Sequence, residues 1–314
     1  MRVLVTGGAG FIGRWVVNRL LQEKAHVPLT VSVLDNLSNS SIRNIAEFES
    51  KKESFTFIEG DIRNRKLLQS LCKPGFDLLI HLAASINVHE SLQNPEETFE
   101  NDVVGTFNLL EEARKANTRF VHLSTCMVYE RAENRAISED CPLAPASPYA
   151  GSKLAGENLV ASYHRGYGLP AVILRPFNTY GPFQKSNQEG GVVAIFIEKA
   201  LKGEEIPVFG DGEQTRDFLY VEDCAEFVVR ASFSQDATGQ VINAGSGQDI
   251  TINALALTVC PDKTRIRHLP HHHPQSEIRK LLCDSTKAKS LLGWEPGTSL
   301  KEGIAKTMDW MRMR

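Results

Sequence analysis

The sequence predicts an α/β protein built on a doubly wound parallel sheet, with a smaller C-terminal substrate-binding lobe. Three observations lead to this prediction. Short apolar runs alternate with helical stretches over positions 1–175, a glycine-rich turn follows the first apolar run, and the regular alternation ends near position 176. Strands that alternate with helices are typical of a parallel sheet with helices on both faces.

Six strands and four helices are predicted in the first part of the chain. Strands are expected near 2–6, 29–34, 55–59, 77–82, 119–124 and 170–175, and helices near 11–23, 64–72, 98–116 and 148–166. The first apolar run is short and β-branched, as expected of a strand that is buried on both faces. We therefore expect a nucleotide-binding domain over 1–175 and a smaller lobe over 176–314, with a return to the first domain near 218–233.

A glycine-rich turn lies between the first predicted strand and the first predicted helix. Gly7, Gly10 and Gly13 recur at three-residue spacing, with Phe11 and Ile12 between the last two. Glycine permits a tight turn and a close approach of the backbone to a pyrophosphate, and a helix N-terminus offers N–H groups and a positive dipole end. This GxxGxxG pattern after a strand predicts a dinucleotide-binding site.

The second predicted strand ends in Asp35, well downstream of Gly13. A carboxylate there can accept hydrogen bonds from both hydroxyls of an adenosine ribose, and it repels a 2′-phosphate. The alternative is an aspartate that only forms the turn in Asp-Asn-Leu-Ser. Together with the glycine turn upstream, Asp35 favours NAD over NADP.

A candidate reaction centre consists of Thr125, Tyr149 and Lys153. The tyrosine and the lysine are the first and last residues of YAGSK, so on a helix they share one face. A neighbouring cation favours the phenolate, and Lys153 is therefore expected to lower the pKa of Tyr149 from about 10 toward working pH. Thr125, at the end of a predicted strand, could hold a substrate hydroxyl while Tyr149 removes its proton. The spacing alone is common on solvated helix faces, and the glycine turn gives it weight.

Taken together, nine segments resemble the extended short-chain dehydrogenase/reductase family, and within it the sugar-nucleotide epimerases and dehydratases. They are TGGAGFIG (6–13), LDN (34–36), GDI (60–62), HLAA (81–84), the segment ending in Asn101 with Gly105-Thr106, STCMVY (124–129), YAGSK (149–153), RPFNTYGP (175–182) and GDGEQTRDFLYVEDCA (210–225). The resemblance covers essentially the whole chain. It implies a Rossmann-type fold and oxidation of a nucleotide-linked hexose at carbon 4 by tightly held NAD.

The resemblance also implies further site residues. For the cofactor these are Asn36, Asp61, Ile62, Leu82, Ala83, Ala84 and Asn101, beside the glycine turn, Asp35, Tyr149 and Lys153. For the substrate they are Asn178 and Arg216 at the diphosphate, and Thr125, Cys126 and Met127 near the sugar. Relatives often carry a second phosphate-binding arginine near residue 273, where this chain reads His273-Pro274-Gln275-Ser276-Glu277. Arg279 or His273 could replace it, or the contact is looser.

The two residues after Thr125 bear on the type of reaction. Dehydratases of the family typically read Thr-Asp-Glu, whose two acids serve the elimination, whereas this chain reads Thr125-Cys126-Met127. Methionine cannot transfer a proton, so the sequence favours a nucleotide-sugar 4-epimerase over an NDP-hexose dehydratase. Cys126 and Glu130 are the remaining candidates for the missing catalytic acid. A non-catalytic dinucleotide sensor is a distant alternative, because it gives no reason to retain Thr125, Tyr149 and Lys153 together.

Composition and charge argue against several other classes of protein. The net charge is −3, which does not suggest a nucleic-acid partner. The six cysteines are scattered, so neither a disulfide framework nor a zinc site is expected, and the run of histidines at 271–273 is typical of a solvated loop. We expect no bound metal.

The expected location and assembly follow from the same sequence. No apolar run approaches the roughly 20 residues that a membrane-spanning helix needs. The first strand begins at position 2, and we therefore expect a cytosolic protein without a membrane span or signal peptide. In relatives, the helices matching 98–116 and 148–166 form a dimer through a four-helix bundle, so the resemblance implies a homodimer. Apolar residues on these helices could serve either the core or the interface; they are Val103, Thr106, Leu110, Ala113, Leu154, Leu159 and Ala161.

Overall fold

The computed structural model describes residues 1–23, 28–130, 135–186, 191–270 and 279–314. The strands are β1 (Arg2–Thr6), β2 (Thr30–Asp35), β3 (Phe55–Glu59), β4 (Leu78–His81), β5 (Arg119–Leu123), β6 (Ala171–Pro176), β7 (Asn178–Tyr180), β8 (Ile206–Phe209), β9 (Thr215–Tyr220), β10 (Val241–Ala244), β11 (Asp249–Thr251), β12 (Ile266–Leu269) and β13 (Lys280–Leu281).

The helices flank these strands on both sides. They are α1 (Phe11–Glu23), α2 (Arg65–Cys72), α3 (Val88–Gln93), α4 (Pro95–Phe99), α5 (Gly105–Ala116), α6 (Pro148–Tyr167), α7 (Val192–Lys202), α8 (Val221–Phe233), α9 (Ile252–Val259), α10 (Thr286–Leu292) and α11 (Leu300–Arg312). A π-helical turn, Glu100–Val104, joins α4 to α5. None of the described helices is long and apolar enough to cross a membrane.

A seven-stranded parallel sheet in the order β10-β6-β5-β4-β1-β2-β3 forms the centre of the molecule. In β1, Val5 pairs in register with Val33 of β2 on one side and with Ile80 of β4 on the other. All three side chains are fully buried, because helices cover both faces of the sheet. One apolar cluster lies on the side of α1 and α8, and a second lies on the side of α5 and α6.

The smaller lobe contains a four-stranded sheet, in which β9 pairs with β7, β11 and β13, and a two-stranded sheet of β8 and β12. Its core is aromatic and aliphatic, with Tyr180, Phe196 and Leu255 buried between α7, α9 and α11. The chain between these strands returns to the large sheet, since α8 packs against α1 and β10 pairs with β6. The boundary at residue 175 stays a prediction.

The predicted α/β fold is confirmed, and each of the six predicted strands is present at nearly its predicted position. Three features differ from the prediction. Helices α3 and α4 were not expected. The helix expected over 98–116 is interrupted by the π-helical turn. Strand β10 was not predicted, because its short pattern does not separate a strand from a loop.

The potential metal ligands are scattered over the described part of the chain. Within the described ranges, no three His, Cys, Asp or Glu side chains are grouped so that they could hold an ion. The histidines at 271–273 lie outside the described residues.

Candidate active site

A cavity of about 370 Å³ opens where the central strands of the large sheet end, between this sheet and the smaller lobe. Most of the residues predicted to bind cofactor or substrate line it; they are Gly7, Gly10, Phe11, Ile12, Gly13, Asp35, Asn36, Ile62, Leu82, Ala83, Ala84, Asn101, Thr125, Cys126, Met127, Tyr149, Lys153 and Asn178. Three predicted residues, Asp61, Arg216 and Arg279, are not part of the lining.

The glycine turn forms one end of the cavity. Gly7 has a φ of +71°, and a Cβ atom there would lie 2.6 Å from the backbone nitrogen of Ala83. A Cβ on Gly13 would collide with the carbonyl oxygen of Gly7. Helix α1 begins directly after the turn, at Phe11, and the N–H groups of its first turn have no partner within the helix. The loop is therefore shaped for a backbone contact with an anion.

The Asp35 carboxylate is fixed by three donors of the chain. Its Oδ2 accepts the N–H of Ala9 at 3.0 Å, and its Oδ1 accepts the N–H of Leu37 at 2.9 Å and the hydroxyl of Ser40 at 2.8 Å. A carboxylate has about four acceptor positions, so about one stays open on Oδ2. The cavity beside it is lined by further polar residues that sequence reasoning missed, namely Ser38, Asn39, Ser40, Ser41 and Asn44.

Asp61 forms an ion pair instead of lining the cavity. Its carboxylate lies 2.7 Å from Nη2 of Arg63 and accepts the amide of Asn36 at 3.0 Å. The hydrogen bond from Arg63 lowers the pKa of Asp61 to about 2. Asp61 therefore holds the loop around Asn36, while the next residue, Ile62, reaches the cavity.

The structure brings Thr125 and Tyr149 together. Ser147 caps α6 by accepting the N–H of Ala150 at 3.2 Å, which places Tyr149 in the first turn of the helix. Thr125 follows β5, and its hydroxyl acts to lower the pKa of Tyr149, with which it lines the cavity. Lys153 lies one turn further along α6 and is also buried. The hydroxyl, the phenol and the ammonium thus occupy the same end of the cavity.

The expected lowering of the Tyr149 pKa is not found. Burial raises this pKa, the hydrogen bond with Thr125 opposes the rise, and the charge of Asp102 adds to it. Burial also lowers the pKa of Lys153, against the charges of Asp102 and Glu157. The spacing puts both residues on α6, but it could not reveal how burial shifts their pKa values.

Ser124 is a cavity residue that sequence reasoning passed over. Its Oγ atom is buried and has no hydrogen-bond partner among the described residues. Buried hydroxyls in proteins are nearly always hydrogen-bonded, so an unpaired one at a cavity wall is available to a ligand. Its position directly after a buried strand was the signal that could have identified it.

The residues next to Thr125 carry no carboxylic acid. Burial raises the pKa of the Cys126 thiol to about 12, so the thiol is neutral. Met127 lines the cavity, whereas Glu130 is exposed and does not. Among the described residues of the lining, Asp35 at the opposite end is the only one with a carboxylate side chain.

The predicted diphosphate contacts are only partly brought together. Asn178 lines the cavity and donates to the carbonyl of Asp217 at 3.4 Å. Arg216 lies on β9, outside the lining, but its charge acts to lower the pKa of Cys126 against the effect of burial. Arg279 is exposed and donates to both oxygens of Asp211, at 2.8 and 2.9 Å, which holds it away from the cavity. His273 lies outside the described residues.

Comparison with known proteins identifies the family of the chain. A family model described as GDP-mannose 4,6 dehydratase matches residues 4–307. The chain belongs to this family. A UDP-glucose 4-epimerase from Mycolicibacterium smegmatis is 39% identical over 321 residues, covering 99% of each chain. The family includes NAD-dependent nucleotide-sugar epimerases and dehydratases, so the predicted resemblance and enzyme class are confirmed.

Two solved structures of the family show how closely the fold is shared. Pal from Bacillus thuringiensis is 56% identical with a TM-score of 0.96, and the match covers 100% of this chain and 99% of that one. A double mutant of the dTDP-glucose 4,6-dehydratase DesIV from Streptomyces venezuelae, solved with NAD bound, is 32% identical with a TM-score of 0.93. That match covers 99% of this chain and 97% of DesIV.

Proposed function

We propose that this protein is an NAD-dependent nucleotide-sugar 4-epimerase that works through a transient 4-keto hexose. The proposal combines the family with the contents of the cavity. A dinucleotide fits one end, and a hydroxyl, a phenol and a lysine occupy the other. An NDP-hexose dehydratase on the same scaffold is the second candidate, because dehydratases are among the relatives.

The residues at the first end of the cavity fit NAD. The glycine turn and the start of α1 would hold the pyrophosphate, and Asp35 would accept a ribose hydroxyl and disfavour a 2′-phosphate. Lys153 and the unpaired hydroxyl of Ser124 are available near the reaction centre. When bound, NAD supplies the hydride acceptor for carbon 4 and a positive ring charge that lowers the pKa of Tyr149.

The chain's own groups handle the proton. Tyr149 removes the proton of the 4-hydroxyl as hydride leaves carbon 4, and Thr125 holds the same oxygen by a hydrogen bond. Lys153 supplies positive charge that stabilises the phenolate. The 4-keto sugar then rotates in the site. Hydride returns to the opposite face of carbon 4, and Tyr149 gives the proton back. The hydroxyl is inverted, and no net oxidation occurs.

The absence of an acidic side chain near Thr125, within the described lining, is the observation that favours epimerisation. Elimination of water needs a base for the proton on carbon 5 and an acid for the leaving hydroxyl. Met127 can serve neither step, the Cys126 thiol is protonated and therefore no base and, with a pKa of about 12, only a very weak acid, and Glu130 lies outside the cavity. Rotation of the 4-keto sugar and its reduction on the other face need none of these groups.

The test is the product formed from a set of nucleotide sugars in deuterated water. We expect a product of unchanged mass, inverted at carbon 4, with no deuterium on carbon by NMR. A product that is lighter by one water, or deuterium at carbon 5 or 6, would overturn the epimerase proposal in favour of the dehydratase. Binding of NAD without any turnover would instead favour a dinucleotide sensor.

The proposal extends to the substrate contacts, the assembly and the location. Asn178 and Arg216 would contact the diphosphate, and the protein would act in the cytosol. Thr106, Leu110 and Ala113 are buried inside the chain, whereas Phe99 is 50% exposed on α4 beside α6. We infer that this outer face pairs two copies. Light scattering should give twice the chain mass of 34.8 kDa, and a monomer would contradict the homodimer.

A further inference from the structure

A buried aspartate lies behind the reaction centre. Asp102 belongs to the π-helical turn between α4 and α5, and only 2% of its surface is exposed. Its Oδ1 accepts the N–H of Ser85 at 2.6 Å and the amide of Asn101 at 3.2 Å. Its Oδ2 is buried and has no hydrogen-bond partner among the described residues. A buried charge with an unpaired oxygen is costly unless an opposite charge compensates it.

Lys153 provides an opposite charge that acts on Asp102 without forming a direct salt bridge to it. Helix α6, which carries this lysine, packs against the π-helical turn. Burial raises the pKa of Asp102 to about 6, and the charge of Lys153 acts against that rise. Burial lowers the pKa of Lys153, and Asp102 acts against that fall. Each group therefore favours the charged form of the other.

The other ionisable groups around Lys153 do not provide the same compensation. Burial lowers the pKa of His81 to about 3 and that of His122 well below its usual value, so both imidazoles are neutral at pH 7. Glu157 lies 2.5 Å from Nη2 of Arg175 in a buried ion pair, which already balances its charge. Tyr149 is neutral until it acts. Glu157 acts on the pKa of Lys153 in the same direction as Asp102 but less strongly, and of these two described carboxylates Asp102 is the one without a salt-bridge partner.

We propose that Asp102 is a positioning residue that acts as the counter-ion of Lys153, keeping this buried lysine in its ammonium form so that its charge acts on Tyr149. This inference rests on the proposed roles of Tyr149 and Lys153. Without Asp102, burial favours the neutral amine, and a neutral amine gives the phenolate no support. The Asp102 charge also raises the Tyr149 pKa directly, and the proposed support through Lys153 acts against that effect.

The same carboxylate also holds the cavity wall. Through the N–H of Ser85 it fixes the loop after β4, where Leu82, Ala83 and Ala84 line the cavity. Asparagine at position 102 keeps an oxygen for this hydrogen bond and removes only the charge. The Asp102→Asn variant therefore separates the electrostatic role from the structural one.

The first test is the pH profile of kcat for the holoenzyme with its nucleotide sugar. In Asp102→Asn we expect the alkaline limb, where Lys153 loses its proton, to move to lower pH by roughly 1–3 units. Asp223→Asn is the matched control, because Asp223 is a buried carboxylate on α8 that accepts the N–H of Thr298 at 2.9 Å. Its alkaline limb should not move. An Asp102→Asn variant that loses the same fraction of kcat at every pH would overturn the proposal.

The second test needs no substrate, so its outcome is independent of the proposed reaction. Melting temperatures are measured at pH 7 for Asp102→Asn, Lys153→Met and the double variant. If the two charges compensate each other, the double variant melts at a higher temperature than the sum of the two single changes predicts. Additive changes in melting temperature would show that the groups do not interact and would overturn the inference.

Discussion

The two ends of the cavity are built in different ways. The cofactor end comes from consecutive elements of the chain, since β1, the glycine turn, α1 and β2 follow one another and carry both Gly7 and Asp35. On the substrate side β7 lines the cavity, and the predicted contact Arg216 lies outside the lining on β9, which pairs with β7 and β13 although these strands lie far apart in sequence. The comparison shows that a site formed by local turns can be predicted from sequence. A site formed by long-range strand pairing is much harder to predict.

The reaction centre lies between these extremes. Thr125 and Tyr149 belong to different elements, yet each follows a recognisable local signal, the end of β5 for one and the N-terminal turn of α6 for the other. Both residues line the same cavity. The position of each group was therefore predictable, and its ionisation was not.

The largest expected effect is at this centre. Tyr149→Phe keeps the ring and removes the hydroxyl, so kcat should fall by roughly 10²–10⁴-fold while NAD stays bound. Tyr167→Phe is the matched control, because Tyr167 is 62% exposed and remote from the cavity lining, and its activity should be unchanged. Steady-state kinetics measure kcat for both variants, and the NAD content of each purified protein shows whether the cofactor stays bound. A Tyr149→Phe enzyme at the wild-type rate would remove the phenol from the mechanism.

The next effect is expected at the cofactor end. Because NAD is regenerated in each cycle, the purified protein should retain it. Asp35→Ala removes a charged acceptor whose hydrogen bond contributes roughly 1.5–3 kcal/mol to binding, so NAD affinity should fall by about 10- to 100-fold. The preference for NAD over NADP should also become smaller. The exposed Asp236→Ala variant is the control. Calorimetric titration of both nucleotides measures the change, and wild-type binding of NADP as tight as that of NAD would contradict the role of Asp35.

The smallest effects compare two arginines of the substrate end. Arg216→Ala should raise the KM for the nucleotide sugar by roughly tenfold, because it removes about one charge-assisted hydrogen bond to phosphate. Arg279→Ala breaks only an exposed pair with Asp211, so KM should change by less than about twofold. The reverse order of the two KM values would show that Arg279 turns to the substrate when it binds.

These contrasts explain what the sequence could and could not predict. The parallel sheet and the glycine turn follow from periodic apolar runs and from backbone geometry that only glycine permits. The position of Arg279 depends on Asp211, a residue distant in sequence, and no local pattern encodes that pair. The unpaired hydroxyl of Ser124 and the high pKa of Tyr149 depend on burial, which appears only once the lobes are packed.

The fate of the hydrogen on carbon 4 tests the central claim most directly. A nucleotide hexose that carries deuterium at carbon 4 is incubated with the enzyme, and the product is examined by NMR. Because hydride leaves and returns to the same carbon, the inverted product should retain the deuterium at carbon 4. Deuterium found at carbon 6, or lost to the solvent, would contradict the epimerase account.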